Sequence, residues 1–166
     1  FLRSGSFRVM GISLKNTTRA FIANNTFTNQ TVGIALEHSA QNVTIVDNVF
    51  ENSTVGINIT GGIGVFIDNS TFENVSTSMF LTNALNATIN NTQAPAGVII
   101  GTTGGAVINF TRGINFTTNV SLLSFLNITN DTIYLNSSFS PGLNVSAILR
   151  LNASGFLFAR PAFASD

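Results

Sequence analysis

Asparagine is the residue type with the clearest chemical potential in this 166-residue chain, because 18 of its 22 asparagines stand in the sequence Asn-x-Ser/Thr with x not proline. A random order of the same residues would place about five of them in this context. The motif is the acceptor for an N-linked glycan, which bonds to the side-chain nitrogen of a solvent-facing asparagine in an exported protein. The excess predicts covalent N-linked glycans and an extracellular or cell-surface location. The predicted acceptors are Asn16, Asn24, Asn29, Asn42, Asn52, Asn58, Asn69, Asn74, Asn86, Asn90, Asn109, Asn115, Asn119, Asn127, Asn130, Asn136, Asn144 and Asn152.

Two of the seven carboxylates form the other group that could do chemistry. Glu51 and Glu73 are 22 residues apart and each follows a phenylalanine, so we expect them to lie close together. Such a pair can bind a cation or act as acid and base in an enzyme. However, Asn52 and Asn74 follow them directly, and glycans there would obstruct a substrate groove. We therefore expect a solvated corner and no catalytic residues, with a secreted polysaccharide-acting lyase or hydrolase as the alternative.

Other sequence signals for metal, cofactor or nucleophilic chemistry are weak. His38 is the only histidine and the chain has no cysteine, so a zinc site or a Ser-His-Asp triad would depend on one residue. We expect no metal and no cofactor. The 15 phenylalanines, with one tyrosine and no tryptophan, indicate core packing. A cell-surface adhesive or glycan-binding module, which would need exposed aromatic rings, is the second alternative.

The composition indicates a folded chain with few charges. Apolar residues make up 44% and charged residues only 8%, with a net charge of zero. No basic cluster is present, so we expect no nucleic-acid partner, and no apolar run reaches the 18 or so residues needed to span a membrane. Glycans would supply the hydration that charges supply in most proteins. Because the chain opens with Phe1, we interpret it as a processed protein or a piece of a longer one.

The first half contains a repeat that would position these groups. The segments GISL, GIAL, GINI and SMFL begin at residues 11, 33, 56 and 78, a step of 22 to 23 residues. A second set, IANNTF, IVDNVF, IDNSTF and INNT, begins at residues 22, 45, 67 and 89. Short β-prone runs at this period, divided by Gly, Asn and Ser, predict a solenoid in which each repeat buries its apolar face against its neighbours.

The repeat resembles the right-handed parallel β-helix of the pectate-lyase-like and NosD-like superfamily, over residues 11 to about 92. The resemblance implies an all-β fold with parallel coils over residues 1–95. It does not imply one function, because the superfamily includes lyases, hydrolases, adhesins and structural proteins. The low charge, the absence of cysteine and the dense acceptors resemble surface proteins of archaea. This second resemblance implies an extracellular structural glycoprotein, a subunit of a surface filament or surface layer.

The repeat also sorts the asparagines into two groups. Aligning the coils on their phenylalanine places Asn25, Asn48 and Ser70 at one position, and neither asparagine there is in an acceptor motif. This predicts an inward stack of hydrogen-bonded side chains, and turn residues in a left-handed conformation are the alternative. The acceptors two residues after each phenylalanine should instead point outward at a corner.

Residues 96–166 are predicted to form an irregular last coil and a strand-rich, antiparallel part. Residues 97–112 indicate two strands around a turn at 102–105, and further strands are expected at 121–129, 132–139, 143–152 and 155–163. Alternation in the strand at 143–152 predicts that its acceptors face solvent and that five apolar residues face the core. These are Leu143, Val145, Ala147, Leu149 and Leu151.

The chain termini carry no acceptor motif, over residues 1–11 and 155–163. Apolar ends without glycans predict self-association of copies into a homopolymer, by strand addition or coil stacking. The alternative is that both ends are ordinary core strands.

Overall fold

The computed structural model describes residues 9–84, 86–117, 119–122, 126–129, 132–136 and 145–151. These residues form an all-β structure, a solenoid of about four coils followed by antiparallel strands. The fold class predicted from the repeat is therefore confirmed. The strands in chain order are β1 (Met10–Lys15), β2 (Phe21–Ala23), β3 (Thr26–Thr28), β4 (Val32–Glu37), β5 (Thr44–Val46), β6 (Val49–Glu51), β7 (Val55–Thr60), β8 (Phe66–Asp68), β9 (Thr71–Glu73), β10 (Thr77–Thr82), β11 (Thr88–Asn90), β12 (Thr92–Ala94), β13 (Val98–Gly101), β14 (Val107–Phe110), β15 (Ile114–Phe116), β16 (Val120–Ser121), β17 (Leu126–Ile128), β18 (Ile133–Leu135) and β19 (Ala147–Arg150).

Each coil contributes one strand to each of three walls. The long wall is a seven-stranded sheet in the order β1-β4-β7-β10-β13-β14-β19, and the second wall is a five-stranded sheet in the order β16-β11-β8-β5-β2. The third wall begins as the three-stranded sheet β3-β6-β9. Strands of successive coils are parallel, and residues one repeat apart are in register, such as Ile34 with Ile57 and Phe50 with Phe72. Buried side chains of one coil therefore stack on similar side chains of the next at these positions.

The interior of the coils explains why the sequence repeats both glycine and phenylalanine. The rings of Phe27, Phe50 and Phe72 form a stack, with centroids 5.1 and 5.0 Å apart. Each ring lies against the glycine at the second position of the long-wall strand of its coil, and a Cβ on Gly33 would come within 2.4 Å of the Phe50 ring. Real Cβ atoms do not approach so closely, so the ring and the glycine require each other.

The fourth coil loses both members of this contact together. Ser78 stands where the earlier coils have glycine, and Ala94 stands 22 residues after Phe72. Both residues are fully buried, and the Ser78 hydroxyl accepts a hydrogen bond from the backbone N–H of Ala96 at 3.2 Å. Without a phenylalanine ring, the interior has room for a side chain at the glycine position. The fourth coil thus departs from the repeat at two contacting positions together, the glycine and the phenylalanine.

After β13 the chain reverses its winding. A turn closed by the backbone N–H of Gly105 donating to the carbonyl of Thr102 at 3.1 Å leads into β14. β14 pairs antiparallel with β13, β15 with β12, and β16 with β11. The chain therefore visits the long wall, then the third, then the second, opposite to the order of the coils. This reversed coil buries Phe110, Ile114, Phe116 and Val120 over the end of the solenoid.

Several strand predictions need correction or refinement. The two strands within residues 97–112 are confirmed as β13 and β14, and strands within 121–129 and 132–139 are confirmed as the antiparallel pair β17 and β18. Residues 121–129 do not form one strand, because β16 ends at Ser121 and pairs with the second wall, whereas β17 pairs with β18. The segments IANNTF, IVDNVF and IDNSTF each divide into two strands at a corner.

The strand predicted at 143–152 is the four-residue β19, and its predicted buried face is wrong. Ile148 and Leu149 point to opposite faces and are 61% and 57% exposed, and Leu151 is 42% exposed. β19 is the outermost strand of the long wall beyond β14, so it extends past the core. Val145 alone among the described residues of that face is partly buried against the core. Leu143 and the strand predicted at 155–163 lie outside the described residues, as does most of the segment 1–11. Within the described ranges, no helix is long and apolar enough to cross a membrane.

Candidate functional site

The acceptor asparagines are the candidate site with the most extensive geometry. Fifteen of the 18 lie among the described residues, and none of the fifteen is buried. Asn130, Asn144 and Asn152 lie outside the described residues. Ten acceptors are exposed: Asn16, Asn24, Asn29, Asn42, Asn52, Asn69, Asn74, Asn115, Asn119 and Asn127. Five are half-buried: Asn58, Asn86, Asn90, Asn109 and Asn136.

Seven of the exposed acceptors occupy corners of the coils and have a positive φ angle. Their φ values lie between 44° at Asn69 and 58° at Asn29. This left-handed conformation is unfavourable for most residues, but asparagine tolerates it because its short polar side chain can hydrogen-bond locally. Backbone geometry alone therefore favours asparagine at these positions. The seven are Asn16, Asn24, Asn29, Asn42, Asn52, Asn69 and Asn74.

The acceptors in strands have no such backbone reason. Asn109, Asn115 and Asn127 lie in β14, β15 and β17, each between two buried apolar neighbours, and none of the three has a positive φ angle. Because their neighbours on both sides are buried, the alternation of a strand directs the three asparagines outward. Asparagine is depleted in strands, so a use for its side chain at the surface is the better explanation of its presence there.

The four asparagines outside the motif all have a structural role. Asn48 is fully buried, and its carboxamide oxygen accepts a hydrogen bond from Nδ2 of Asn25 at 3.1 Å. Its own Nδ2 donates to the carbonyl of Ile22 at 2.9 Å. The inward stack is thus confirmed, and neither Asn25 nor Asn48 has the positive φ angle of the alternative. Asn83 and Asn91 are corner residues, with φ angles of 51° and 41°.

The outward corner position of Asn29, Asn52 and Asn74 was predicted and is confirmed. The positive φ angle of the corner asparagines was not predicted, although one signal for it was present. Asp47 has a φ angle of 53° and lies in the same corner row as Asn24 and Asn69, one repeat away from each. Aspartate shares the tolerance of asparagine for this conformation but cannot carry an N-linked glycan. An aspartate in the row indicates that the backbone, as well as glycosylation, selects these residues.

Corner side chains also bond to each other between coils. Nδ2 of Asn74 donates to Oδ1 of Asn52, and Nδ2 of Asn69 donates to Oδ1 of Asp47, both at 2.6 Å. A primary carboxamide has two N–H donors, and attachment of a sugar replaces one of them. Each of these hydrogen bonds is therefore compatible with a glycan on the same nitrogen.

The predicted closeness of the two glutamates is confirmed. Glu51 and Glu73 are partners in the register between β6 and β9, and Oε2 of Glu51 accepts a hydrogen bond from the hydroxyl of Thr28 at 3.2 Å. Among the described residues, no group of three or more His, Cys, Asp or Glu gathers in one place. The pair could offer a cation two carboxylates at most, and the expected absence of a metal here stays a prediction.

The remaining titratable cluster surrounds the first corner of the long wall. Nζ of Lys15 lies 2.8 Å from Oε2 of Glu37, and this contact holds the pKa of the Glu37 carboxyl below its ordinary value. His38 is the next residue, with a φ angle of 52°, and its Nδ1 is 3.8 Å from the same carboxylate. Because Lys15 is exposed and Glu37 is only half-buried, water screens the ion pair and it contributes little to stability.

A polar groove lies where the third wall ends. β12 does not continue the ladder β3-β6-β9 but pairs with β15, and the step between β9 and β12 leaves a space of about 390 Å³. We call it the carboxamide groove. The sequence did not predict it, because it depends on the pairing of the reversed coil. The groove is lined by Asn69, Ser70, Thr71, Asn91, Gln93, Asn115 and Thr117.

Comparison with protein families matches residues 6–153 to the right-handed β-helix region. The match covers most of the chain, and the protein therefore belongs to the right-handed β-helix family. Comparisons with curated proteins and with solved structures found no match. The family fits a surface protein or a polysaccharide-related β-helix protein in general.

Proposed function

We propose that this protein is an extracellular structural glycoprotein, a subunit of a surface filament or surface layer, without a catalytic role. The observation that supports this most directly is that asparagines inside the acceptor motif and asparagines outside it differ in burial. No described acceptor is buried, whereas the buried Asn48 lies outside the motif. The strand acceptors carry the most weight, because the backbone does not require asparagine at Asn109, Asn115 or Asn127.

A glycan coat suits a surface with so few charges. Acceptors project from the long wall at Asn58 and Asn109, from the corners of the coils, and from β15 at Asn115. Glycans at these places would hydrate the surface without groups that acid can titrate. An archaeal surface, in a hot or acidic setting, is the environment that this composition favours.

Association of copies is supported by the two ends of the long wall. β1 and β19 are its outermost strands, and no described strand pairs with the outer edge of either. Apolar side chains are exposed at both ends, with Met10 41% and Ile148 61% exposed. An unpaired edge can pair with the edge of another copy. Contact between two different edges is head-to-tail, and it propagates into a filament when the rotation between copies does not close a ring.

The first test examines material purified from its natural source. Electron microscopy should show polymers, and mass spectrometry of glycopeptides should find sugars on the strand acceptors. A monodisperse monomer under all conditions would contradict the filament, and bare asparagines at Asn109, Asn115 and Asn127 would contradict the glycan coat.

The second test asks whether β19 forms the contact between copies. Ile148→Lys and Leu149→Lys place a charge on an exposed strand without disturbing the core, and each should shift the protein toward monomers in sedimentation. Tyr134→Lys is the matched control, because Tyr134 is 61% exposed in β18 and is not on the long wall. Polymers that persist in both β19 variants would exclude this edge as the contact.

A further inference from the structure

The carboxamide groove has the chemistry of a site for a neutral, hydroxyl-rich ligand. All seven lining side chains are polar and uncharged: three asparagines, one glutamine, two threonines and one serine. Carboxamides and hydroxyls each supply donors and acceptors, as the hydroxyls of a sugar do. None of the lining residues offers a charge to an anion or a cation. Its volume of about 390 Å³ is within the range of small-molecule sites.

Part of the groove has unused hydrogen-bonding capacity. The side chains of Gln93, Asn115 and Thr117 make no hydrogen bond to any described residue. Gln93 and Asn115 are direct partners in the antiparallel pair of β12 and β15, so their exposed carboxamides stand side by side. A ligand in the groove could engage both without displacing an existing contact.

Two acceptors line the groove, and they differ in their hydrogen bonds. Nδ2 of Asn69 already donates to Oδ1 of Asp47 in the preceding coil, so part of its hydrogen-bonding capacity is used. Asn115 has no such bond, and it lies in strand β15 between two buried residues. A sugar attached to Asn115 would begin at the wall of the groove.

We propose that the carboxamide groove holds the first sugars of the glycan carried by Asn115. A tethered ligand reaches a high effective concentration, so weak hydrogen bonds suffice to dock it. Gln93 is the residue that would bond the sugar most directly, since its carboxamide is exposed beside the attachment point. This inference rests on the glycosylation proposed above, and it adds that one glycan is part of the folded surface.

The test is a double-mutant cycle between Gln93 and the glycan. Gln93 belongs to no acceptor motif, so Gln93→Ala leaves all acceptors intact. In glycosylated protein, Gln93→Ala should lower the thermal midpoint and speed enzymatic release of the Asn115 glycan from the native protein about tenfold. In an Asn115→Gln background, Gln93→Ala should leave the midpoint unchanged. An Asn127→Gln background is the matched control, because it removes a strand glycan that is not at the groove and should preserve the effect.

Each outcome separates this inference from the proposed function. Suppose that Asn115 and Asn127 both carry glycans in the wild type, but Gln93→Ala has the same effect there as in the Asn115→Gln background. The docking is then wrong, and the proposal of a glycoprotein stands. If Asn115 is bare but Asn127 is occupied, the docking is again wrong. Bare asparagines throughout would remove the proposed function and the docking together.

A final experiment tests whether the groove instead binds a free saccharide from solution. Unglycosylated protein is titrated with a neutral disaccharide, N,N′-diacetylchitobiose. Saturable binding that Gln93→Ala abolishes, without coupling to the Asn115 glycan, would assign the groove to an external sugar and overturn the docking of the chain's own glycan. Weak or absent binding together with the coupling is the expected result.

Discussion

Acceptor asparagines of the coils and those of the antiparallel part occupy different backbone conformations. In the coils, seven of them have positive φ angles at corners, where few other residues fit. In the antiparallel part, Asn109, Asn115 and Asn127 lie in strands that asparagine normally disfavours. The acceptor motif therefore occurs for two different reasons: the backbone favours asparagine at the corners, whereas it does not in the strands. A count of motifs overstates the evidence for glycosylation in the coils, and the strand acceptors provide the stronger evidence.

The largest effect should come from the stacked interior, which only the coils possess. Phe50→Ala removes a fully buried ring from the middle of the stack and should cost about 3–5 kcal/mol of unfolding free energy. Gly33→Ala should also destabilise, because its Cβ would meet the Phe50 ring at 2.4 Å. Urea denaturation measures both.

The double variant shows whether the ring and the glycine act as one unit. Gly33→Ala should lower the unfolding free energy less in the Phe50→Ala background than in the wild type. The fourth coil indicates this, because there Ser78 replaces the glycine and Ala94 replaces the phenylalanine together. Strict additivity of the two costs would show that the contact does not explain the repeat.

The next largest effect separates corner from strand asparagines directly. In unglycosylated protein, Asn29→Ala should cost about 1–2 kcal/mol, because alanine is strained at a φ angle of 58°. Asn29→Gly should restore most of this stability. Asn127→Ala is the matched change in a strand and should be nearly neutral. Equal losses at the two sites would remove the distinction between the regions.

Glycan occupancy should differ between the same two groups. Corner acceptors such as Asn52 and Asn74 stack in neighbouring coils about 4.8 Å apart, so glycans on both would compete for space. Strand acceptors such as Asn115 and Asn127 have no acceptor stacked on them in this way. Quantitative glycopeptide mass spectrometry should find higher occupancy at the strand sites, and full occupancy of the corner rows would contradict this.

The smallest effect concerns pH and is confined to the coils. Lys15 lowers the pKa of Glu37 in the folded state, so the pair stabilises the protein above the ordinary pKa of glutamate. This contribution is lost as the pH falls through the lowered pKa. The stability difference between the wild type and Glu37→Gln should therefore be small at neutral pH and vanish in acid, as measured by thermal unfolding. A difference that grows in acid would reverse this assignment.

The sequence predicted the coils well because each coil repeats the same physical requirement. Each of the first three coils has a glycine and a phenylalanine in contact, as Gly33 and Phe50 are. The Asn25–Asn48 stack was predicted because both asparagines share a repeat position and neither is in an acceptor motif. The reversed coil was not predicted, because strands such as β15 and β16 have no period and their partners are set by the open end of the solenoid. The burial of β19 was predicted wrongly for a related reason: alternation shows which residues share a face, but not whether anything covers that face.

The reversed coil also determines how this protein can change in length. An inserted coil of 22 or 23 residues would add one strand to each wall and lengthen the solenoid by about 4.8 Å. Such an insertion before β11 would leave the pairing of β14, β15 and β16 with β13, β12 and β11 intact, because none of these three strands pairs with a strand of an earlier coil. The protein can thus vary by whole coils in its interior, whereas an antiparallel turn ends the parallel stack at the C-terminal side.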